Sequence, residues 1–392
     1  MQHKSDVVVI GGGVVGSATA YFLAKSGVAS VVVVEKDPSY EFASTSLSAA
    51  SIRQQFTTDE NVAMSRFAVG FFQNLADELE LEPEQADVGF VEGGYLFLSD
   101  ANREQVLREA YERQRKAGVD VALLEPDALA ERFPWLNLED IHCGALGLSG
   151  EGWFDAYTVL MAFKKRARSL GVQYVQDEAE RIVLKEGKVH SVVLREGGPI
   201  QTHQVVNAAG PRAAELAATI GVHLPVRARK RQIFVFRTSA KIPETIPLVV
   251  DPSGVYFRPE GNAFLCGWSP PEEADPDASD FKTDASLFET QFWPVLAHRV
   301  PSFDELKVVR SWAGHYAVNT VDHNAIVGSH EDIPGYYSAN GFSGHGLMQS
   351  PAIARALSEL IVHGGYQTLD LSRLSFDRLR DSSRHIVERH IL

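Results

Sequence analysis

The stretch Val7-Val8-Val9-Ile10-Gly11-Gly12-Gly13-Val14-Val15-Gly16 decides the fold of this chain. Its four β-branched residues in a row are typical of a strand buried on both faces of a parallel sheet. From Val14 to Lys25 small and apolar residues recur at helical spacing, and Gly27 ends that helix. Residues 31–34 are again β-branched and predict a second buried strand, which ends at Glu35. The stretch therefore predicts a strand, a helix and a second strand of one parallel sheet.

The glycines between the first strand and the helix follow the pattern Gly-x-Gly-x-x-Gly. Gly11 permits a tight turn, Gly13 lets a pyrophosphate approach the backbone at the helix N-terminus, and Gly16 lets helix and strand pack closely. Glu35 can accept hydrogen bonds from ribose hydroxyls. A merely structural glycine turn is the alternative, but this context favours a dinucleotide site, which both FAD and NAD use. The sequence holds no second motif of this kind, which favours a single, tightly bound nucleotide.

Composition narrows the class of protein. The 392 residues are 45% hydrophobic and 22% charged, so the chain can bury a sizeable core in two or three domains. The net charge of −14 has the wrong sign for binding nucleic acid or anionic membrane surfaces, and no apolar run is long enough to predict a membrane span. Cys143 and Cys266 show no metal-ligand spacing, so we expect no metal site and a reducing, cytoplasmic location.

The rest of the chain predicts a second, sheet-rich layer. Val226 to Trp268 alternates between apolar and polar residues and is rich in aromatics, which indicates antiparallel strands with one covered face. The acidic stretch 272–277 is most simply a solvated loop. Residues 205–210 read as a strand that ends in small residues, either as an ordinary turn or as a close approach to the same cofactor. No linker separates these parts, so we expect interleaved domains.

Taken together, three further segments identify a family resemblance. Residues 44–53 (Ser-Thr-Ser-Leu-Ser-Ala-Ala-Ser-Ile-Arg), 207–210 (Asn-Ala-Ala-Gly) and 341–346 (Gly-Phe-Ser-Gly-His-Gly) resemble the D-amino-acid oxidase superfamily. The similarity is greatest to its branch of sarcosine oxidases, dimethylglycine dehydrogenases and glycine oxidases. The resemblance implies an α/β fold in which a Rossmann-type FAD-binding domain is interleaved with a mainly antiparallel β-sheet substrate domain. We expect the FAD-binding domain to comprise residues 1–85, 150–224 and 311–392, and the substrate domain residues 86–149 and 225–310.

The cofactor implied by the resemblance is FAD. In relatives, a cysteine or a histidine anchors FAD covalently at positions that align with Gly314 and with Ala49 or Ala50, so FAD is expected to be bound non-covalently here. The residues expected to bind it are Gly11, Gly13, Val14, Val15, Gly16, Glu35, Lys36, Ser44, Thr45, Ser46, Ala49, Ala50, Ser51, Ala208, Ala209, Gly210, Gly314, Gly341, Gly344, His345, Gly346, Leu347 and Met348.

The resemblance also implies oxidation of the C–N bond of an amine or amino acid, with hydride passing to flavin N5. Arg53 matches the arginine that holds the substrate carboxylate, although an ion pair within the domain is its alternative. His345 and His315 are the histidines expected nearest the flavin, where either biases an amine toward its neutral form or serves only as a structural hydrogen-bonder. Tyr256 matches a tyrosine over the active site, or belongs to the core.

Two positions bear on the electron acceptor. A lysine that promotes reaction with oxygen in the oxidases aligns with Leu265, and a lysine that helps hold the substrate carboxylate aligns with Met348. The absence of both lysines favours a dehydrogenase over an oxidase. Its substrate would be a secondary amine or N-substituted amino acid, and it would pass electrons to a carrier protein or a quinone. A flavoprotein that serves in assembly, and a subunit of a hetero-oligomeric oxidase, are the alternatives. The substrate and the oligomeric state stay open.

Overall fold

Strands and helices occur along the whole described chain. The computed structural model describes residues 3–239, 241–243 and 245–389. The strands are β1 (His3–Lys4), β2 (Val7–Ile10), β3 (Val31–Glu35), β4 (Ser51–Ile52), β5 (Tyr95–Ser99), β6 (Val121–Leu124), β7 (Cys143–Gly147), β8 (Gly152–Trp153), β9 (Gln173–Gln176), β10 (Ala179–Lys185), β11 (Lys188–Leu194), β12 (Gly198–Gln201), β13 (Gln204–Asn207), β14 (Val226–Thr238), β15 (Leu248–Val250), β16 (Val255–Glu260), β17 (Ala263–Trp268), β18 (Leu306–Asn319), β19 (Ile326–Ser329) and β20 (Tyr336–Asn340). The α-helices are α1 (Val14–Lys25), α2 (Asp59–Gln73), α3 (Leu75–Leu79), α4 (Pro83–Ala86), α5 (Glu104–Lys116), α6 (Pro126–Arg132), α7 (Ala156–Ser169), α8 (Ala213–Ala218), α9 (Ala285–Leu287), α10 (Trp293–Arg299) and α11 (Gly346–His363).

The predicted strand–helix–strand unit forms the centre of a six-stranded sheet. Its order is β19-β20-β13-β2-β3-β9, and all neighbours are parallel except β19 and β20. Every residue of β2 is buried, as its unbroken run of β-branched residues predicts. Helix α1 packs against α7 and α11. This sheet is therefore a Rossmann-type core, with the carboxyl ends of its parallel strands at one edge.

Glycine is required where the first turn meets the helix. A Cβ atom on Gly16 would lie 1.8 Å from the carbonyl oxygen of Gly11. Gly11 itself has φ of +98°, and a Cβ there would lie 2.4 Å from the carbonyl oxygen of Ala208. The turn after β2 therefore passes so close to α1 and to the end of β13 that side chains cannot be fitted.

A mainly antiparallel sheet forms the second layer, with the order β18-β14-β17-β16-β15-β5-β7-β6. Its one parallel pair is β15 with β5. One face carries an aromatic core covered by α6 and α10. The opposite face carries Tyr256 and Leu265, which share a core with Ile52, Phe56 and Leu347 of the Rossmann-type part. This face therefore closes over the edge at which the motifs lie.

The predicted fold class is confirmed. The Rossmann-type sheet takes its strands from segments 7–35, 173–207 and 326–340, whereas the antiparallel sheet takes its strands from 95–147 and 226–319. The two parts are therefore interleaved in sequence. Strand β18 pairs with β14 almost throughout, from Leu306 to Asn319, so the expected boundary at residue 311 falls inside a strand. The individual domain limits stay a prediction.

Candidate functional site

A cleft of about 540 Å³ runs along the carboxyl ends of β2, β3 and β13. In open α/β sheets, this edge is where ligands bind. Many of the residues that the sequence assigned to the cofactor line the cleft: Gly11, Gly13, Val14, Val15, Gly16, Glu35, Lys36, Ser44, Thr45, Ala208, Ala209, Gly210, Gly344, Gly346 and Leu347. The fold thus brings segments from the start, middle and end of the chain to one elongated site.

The local geometry of this cleft suits a dinucleotide. The N-terminus of α1 opens into it, and the atom nearest to a Cβ built on Gly13 is Thr45 Oγ1, at 3.5 Å. Phosphate oxygens can therefore approach the backbone there, where the helix dipole favours negative charge. The carboxylate of Glu35 accepts hydrogen bonds from the backbone N–H groups of Gly12 (2.7 Å) and Asp37 (2.8 Å). Each oxygen keeps a second lone pair, with which it can accept from ribose hydroxyls.

Other residues expected to bind the cofactor do not line this cleft, namely Ser46, Ala49, Ala50, Ser51, Gly314, Gly341, His345 and Met348. Ser46 Oγ is buried without a hydrogen-bond partner in the described part of the chain, so it can serve a bound group. A Cβ on Gly314 would lie 2.9 Å from Leu47 Cβ, so this glycine provides close packing. Direct contact of these residues with the cofactor stays a prediction.

Aromatic side chains that the sequence analysis missed also line the cleft. Phe281 stacks on His315, with ring centroids 4.1 Å apart, and lies 5.0 Å from the ring of Phe42. His315 Nε2 lies 2.8 Å from the carbonyl oxygen of Asp280. His315 is therefore placed in an aromatic stack of the cofactor cleft. Its neighbour Tyr316 also lines the cleft, and its place on the same strand was the available signal.

The acidic stretch before Phe281 is anchored to the antiparallel sheet. Asp275 accepts two hydrogen bonds of 2.8 Å from the guanidinium of Arg231, and both side chains are buried. Arg229 pairs with Asp277, and Lys230 pairs with Asp280. The expectation of a solvated loop is therefore wrong for Asp275, because the basic residues of β14 bind this segment across the cleft.

A separate group of buried residues surrounds Arg53, whose side chain is 1% exposed. Its Nη2 lies 3.2 Å from His345 Nε2, and its Nη1 donates to the carbonyl oxygen of Gln55. The guanidinium carbon lies 3.9 Å from the ring centroid of Phe56 and 5.3 Å from that of Phe97. Aromatic faces stabilise a desolvated cation. Arg53 and His345 are thus brought together in a buried cluster suited to a planar cation, which is called the chamber below.

His345 is held neutral in this chamber. Burial, and then the positive charge of Arg53, lower the pKa of His345 well below its usual range. A neutral imidazole offers one acceptor nitrogen, so Nε2 accepts from Arg53 Nη2. The ring also packs edge-on against Phe56, with centroids 4.9 Å apart. This arrangement fits a hydrogen-bonding group that stays uncharged next to a bound ligand.

Three tyrosines contribute hydroxyl groups to the same region. Tyr256 and Tyr316 interact electrostatically with each other, and burial raises the pKa of each. Tyr95 was missed in the sequence, and burial raises its pKa to about 12. Electrostatic interactions with Arg53 reach both Tyr95 and Tyr316. All three hydroxyls therefore remain protonated donors near neutral pH, at the junction of the two sheets.

Leu265 occupies the face of the antiparallel sheet that closes over the site. It is 2% exposed and lies opposite Arg258 on the neighbouring strand. Arg258 Nη2 donates to the carbonyl oxygen of Ala49 (2.9 Å), and its Nη1 pairs with the carboxylate of Glu260. The guanidinium of Arg258 also lies 5.1 Å from the ring of Trp153. Position 265 is therefore apolar, and the cation beside it is already neutralised.

Other classes of site find no support in the part of the chain that the structure describes. Among residues 3–239, 241–243 and 245–389, no group of three or more His, Cys, Asp or Glu could hold a metal ion. None of the helices in those ranges is both long and apolar enough to cross a membrane.

Comparison with known proteins gives matches along nearly the whole chain. Residues 6–360 match the family described as "FAD dependent oxidoreductase" (DAO). FAD-dependent oxidoreductase domain-containing protein 1 of Xenopus laevis is 40% identical over 100% of this chain and 85% of its own length. Human mitochondrial dimethylglycine dehydrogenase is 27% identical over 93% of this chain and 43% of its own length. The crystal structure of L-proline dehydrogenase from P. horikoshii superimposes with a TM-score of 0.85 and 27% identity, covering 98% of this chain and 100% of that one.

Proposed function

Because this chain belongs to the DAO family of FAD-dependent oxidoreductases, we propose that it oxidises the C–N bond of a secondary amine or N-substituted amino acid. The observation that carries the proposal is the buried guanidinium of Arg53 beside a neutral His345. Related proteins named dimethylglycine dehydrogenase and L-proline dehydrogenase support it, since both named compounds combine a carboxylate with an N-substituted amine.

The residues of the cleft suit FAD, which when bound supplies the hydride acceptor, N5 of the flavin. The N-terminus of α1 would hold the pyrophosphate and Glu35 the ribose. Helix α11 begins at Gly346, beside Gly344 in the wall of the cleft, so its positive dipole end favours a ring that gains negative charge. FAD is expected to be bound to the protein non-covalently, so acid precipitation should release it. Colour that stays with the precipitated protein would contradict this.

In the substrate chamber, each residue has a distinct task. Arg53 pairs with the substrate carboxylate through parallel N–H donors, which fixes the orientation of the adjacent C–N bond. The neutral His345 accepts a hydrogen bond and adds no charge that would repel a substrate ammonium. The aromatic rings of Phe56 and Phe97 exclude water around the guanidinium, which strengthens the pairing.

We propose a dehydrogenase, with a carrier protein or a quinone as electron acceptor. A fixed cation beside a reduced flavin would stabilise the negative charge that forms on oxygen. Leu265 cannot provide one, and Glu260 neutralises the neighbouring Arg258. Slow reaction with air is therefore expected, whereas a dye or quinone needs no such cation.

Anaerobic bleaching of the FAD absorbance tests the function. The panel consists of N-methylglycine, N,N-dimethylglycine and proline, with N-methylethylamine and pyrrolidine as matched amines that lack the carboxylate. We expect the carboxylate-bearing members to reduce the flavin at much lower concentrations than the matched amines, which lack the group that Arg53 binds. If dithionite reduces the flavin but no amine or amino acid does, the oxidoreductase activity proposed here is refuted and a non-catalytic role is favoured.

A further inference from the structure

Glu151 is a fully buried carboxylate behind the turn that carries Arg53. Its Oε1 accepts hydrogen bonds from the backbone N–H groups of Gln54 (2.6 Å) and Gln55 (3.2 Å). Its Oε2 accepts from the side-chain amide of Gln55 (2.8 Å). The carbonyl oxygen of the same Gln55 accepts from Arg53 Nη1. One carboxylate therefore fixes the short turn that presents the guanidinium.

The backbone around Glu151 leaves room for this carboxylate. A Cβ on Gly147 would lie 1.9 Å from Glu151 Oε2, so only glycine allows the approach. Gly147 also lines a cavity of about 610 Å³, whose wall includes the exposed residues Val91 and Leu148. Gly147 therefore lies next to both the carboxylate of Glu151 and this cavity.

Gln55 can satisfy Glu151 in both protonation states. In the ionised state, its Nε2 donates to the carboxylate and also to the carbonyl oxygen of Tyr95 (3.1 Å). Its Oε1 is buried and has no hydrogen-bond partner among the described residues. After a turn of the amide, a protonated Glu151 could donate to that oxygen at the cost of the hydrogen bond from Gln55 Nε2 to Tyr95 O, while Glu151 Oε1 still accepts from the two backbone N–H groups. The turn around Arg53 can therefore persist when Glu151 is protonated.

The charges around Glu151 make its protonation depend on the ligand. Arg53 faces it from the turn, Tyr95 faces it from β5, and Glu388 from the end of the chain also interacts electrostatically with Arg53. Glu92, on the loop before β5, accepts from the N–H of Gly150 (2.5 Å). Burial raises the pKa of Glu151 to about 7. An anion bound to Arg53 adds negative charge, so it must raise this pKa further.

We propose that Glu151 positions Arg53 and takes up one proton from solvent when a substrate carboxylate binds the guanidinium. The inference rests on the carboxylate-binding role given to Arg53 in the proposed function. The proton adds to the Glu151 carboxylate and returns to solvent when the ligand leaves, so no bond of the substrate changes in this step. Uptake keeps the buried chamber from gaining a further uncompensated negative charge.

The test uses the FAD-loaded protein and benzoate, a carboxylate without an oxidisable amine, with benzamide as the neutral control. The dissociation constant is read from the flavin spectral shift between about pH 6 and about pH 9. Below the pKa that Glu151 has in the ligand-free protein, its carboxyl group is already protonated, so the affinity for benzoate is constant. Above about pH 7, the dissociation constant should rise by about tenfold per pH unit, because one proton is bound with the ligand. Calorimetry in two buffers of different ionisation enthalpy should count that proton.

Glu151→Gln should bind benzoate without pH dependence, as tightly as the parent does at low pH, because the amide mimics the protonated carboxyl. Glu92→Gln is the matched control and should keep the parent slope. A flat profile in the parent overturns the inference, and so does an unchanged slope in Glu151→Gln, which would assign the proton to another group such as His345. If Glu151→Gln does not retain FAD, calorimetry of the parent protein decides the question: uptake of one proton with benzoate supports the inference, and no uptake overturns it. Failure of benzoate to bind the parent at any pH would instead refute the role of Arg53 in the proposed function.

Discussion

Replacement of Arg53 by lysine tests the carboxylate-binding site most directly. The guanidinium has five N–H donors in a rigid plane, and Gln55 O and His345 Nε2 engage one donor each. A lysine keeps the charge and much of the length but presents only a point charge. Arg53→Lys therefore removes the bidentate geometry while it leaves the buried cation in place.

The expected effect of Arg53→Lys is estimated separately for the stability of the fold and for the affinity for the ligand. The contact of 3.9 Å between the guanidinium carbon and the Phe56 ring exists without ligand, so its loss affects stability, by about 2 kcal/mol for a desolvated pair. Ligand affinity changes only by the hydrogen bond that the ammonium cannot make. A hydrogen bond between charged groups contributes about 1.5–3 kcal/mol, which corresponds to a roughly ten- to hundredfold weaker affinity.

The assay is titration of the FAD-loaded protein with benzoate, followed by the flavin spectral shift, together with the N-methylglycine concentration that gives half-maximal reduction. The dissociation constant of benzoate and the half-reducing concentration of N-methylglycine should both rise roughly ten- to hundredfold. The FAD content should stay that of the parent. Arg310→Lys is the control, because Arg310 is exposed and its guanidinium carbon lies 4.9 Å from the ring of Trp312. Equal affinity in Arg53→Lys and the parent would remove Arg53 from the substrate site.

Three further changes test the cofactor site and the electron acceptor. Glu35→Ala should lower FAD retention on gel filtration more than Lys36→Ala, because only the carboxylate can accept from ribose hydroxyls; equal retention would contradict the assignment. Leu265→Lys should accelerate stopped-flow reoxidation by air relative to Leu265→Met, and a parent that reacts with air as fast as with a dye would refute the dehydrogenase proposal. Gly16→Ala places a methyl group 1.8 Å from a backbone oxygen and should abolish soluble FAD-bound protein, whereas Gly70→Ala, with open space around it in α2, should raise the thermal midpoint slightly. A folded, yellow Gly16→Ala protein would show that the turn can relax.

The Rossmann-type core could be predicted because its signals are local. Helix α1 spans Val14–Lys25, as its sequence periodicity predicts, and α7 begins after Asp155, whose side chain accepts from Thr158 N as an N-cap. The apolar periodicity of residues 61–81 predicts one long amphipathic helix, but α2 ends at Gln73 and α3 follows. Asn74 interrupts this helix, because its side-chain amide donates to the carbonyl oxygen of Gly70 in place of a backbone N–H group.

The substrate chamber could be predicted only in part, because it is assembled by distant pairing. Arg53 and His345 were found through motifs, yet their contact joins residues 292 positions apart. Tyr95 gave no signal beyond an apolar strand, and it reaches the site because β5 pairs with β15 in parallel. Phe281 was missed because acidic residues before it suggested solvent, whereas Arg231 and Asp275 form a buried pair. Such pairings depend on tertiary structure that no local pattern contains.

The contrast between a cofactor site built by a local turn and a substrate site built by distant pairings explains how one scaffold accepts different substrates. The cofactor end of the cleft is built by backbone N–H groups and by glycines that no other residue can replace, such as Gly11 and Gly16, so its sequence is constrained by the turn itself. The group around Arg53 is built by side chains from separate loops and strands, so one substitution there alters charge or shape while the fold persists. Leu265 and Arg258 illustrate this, since they are cross-strand neighbours over the site and neither is needed for the turn that holds FAD. We therefore expect variants of Leu265 in β17 to change the reaction with the electron acceptor without loss of FAD.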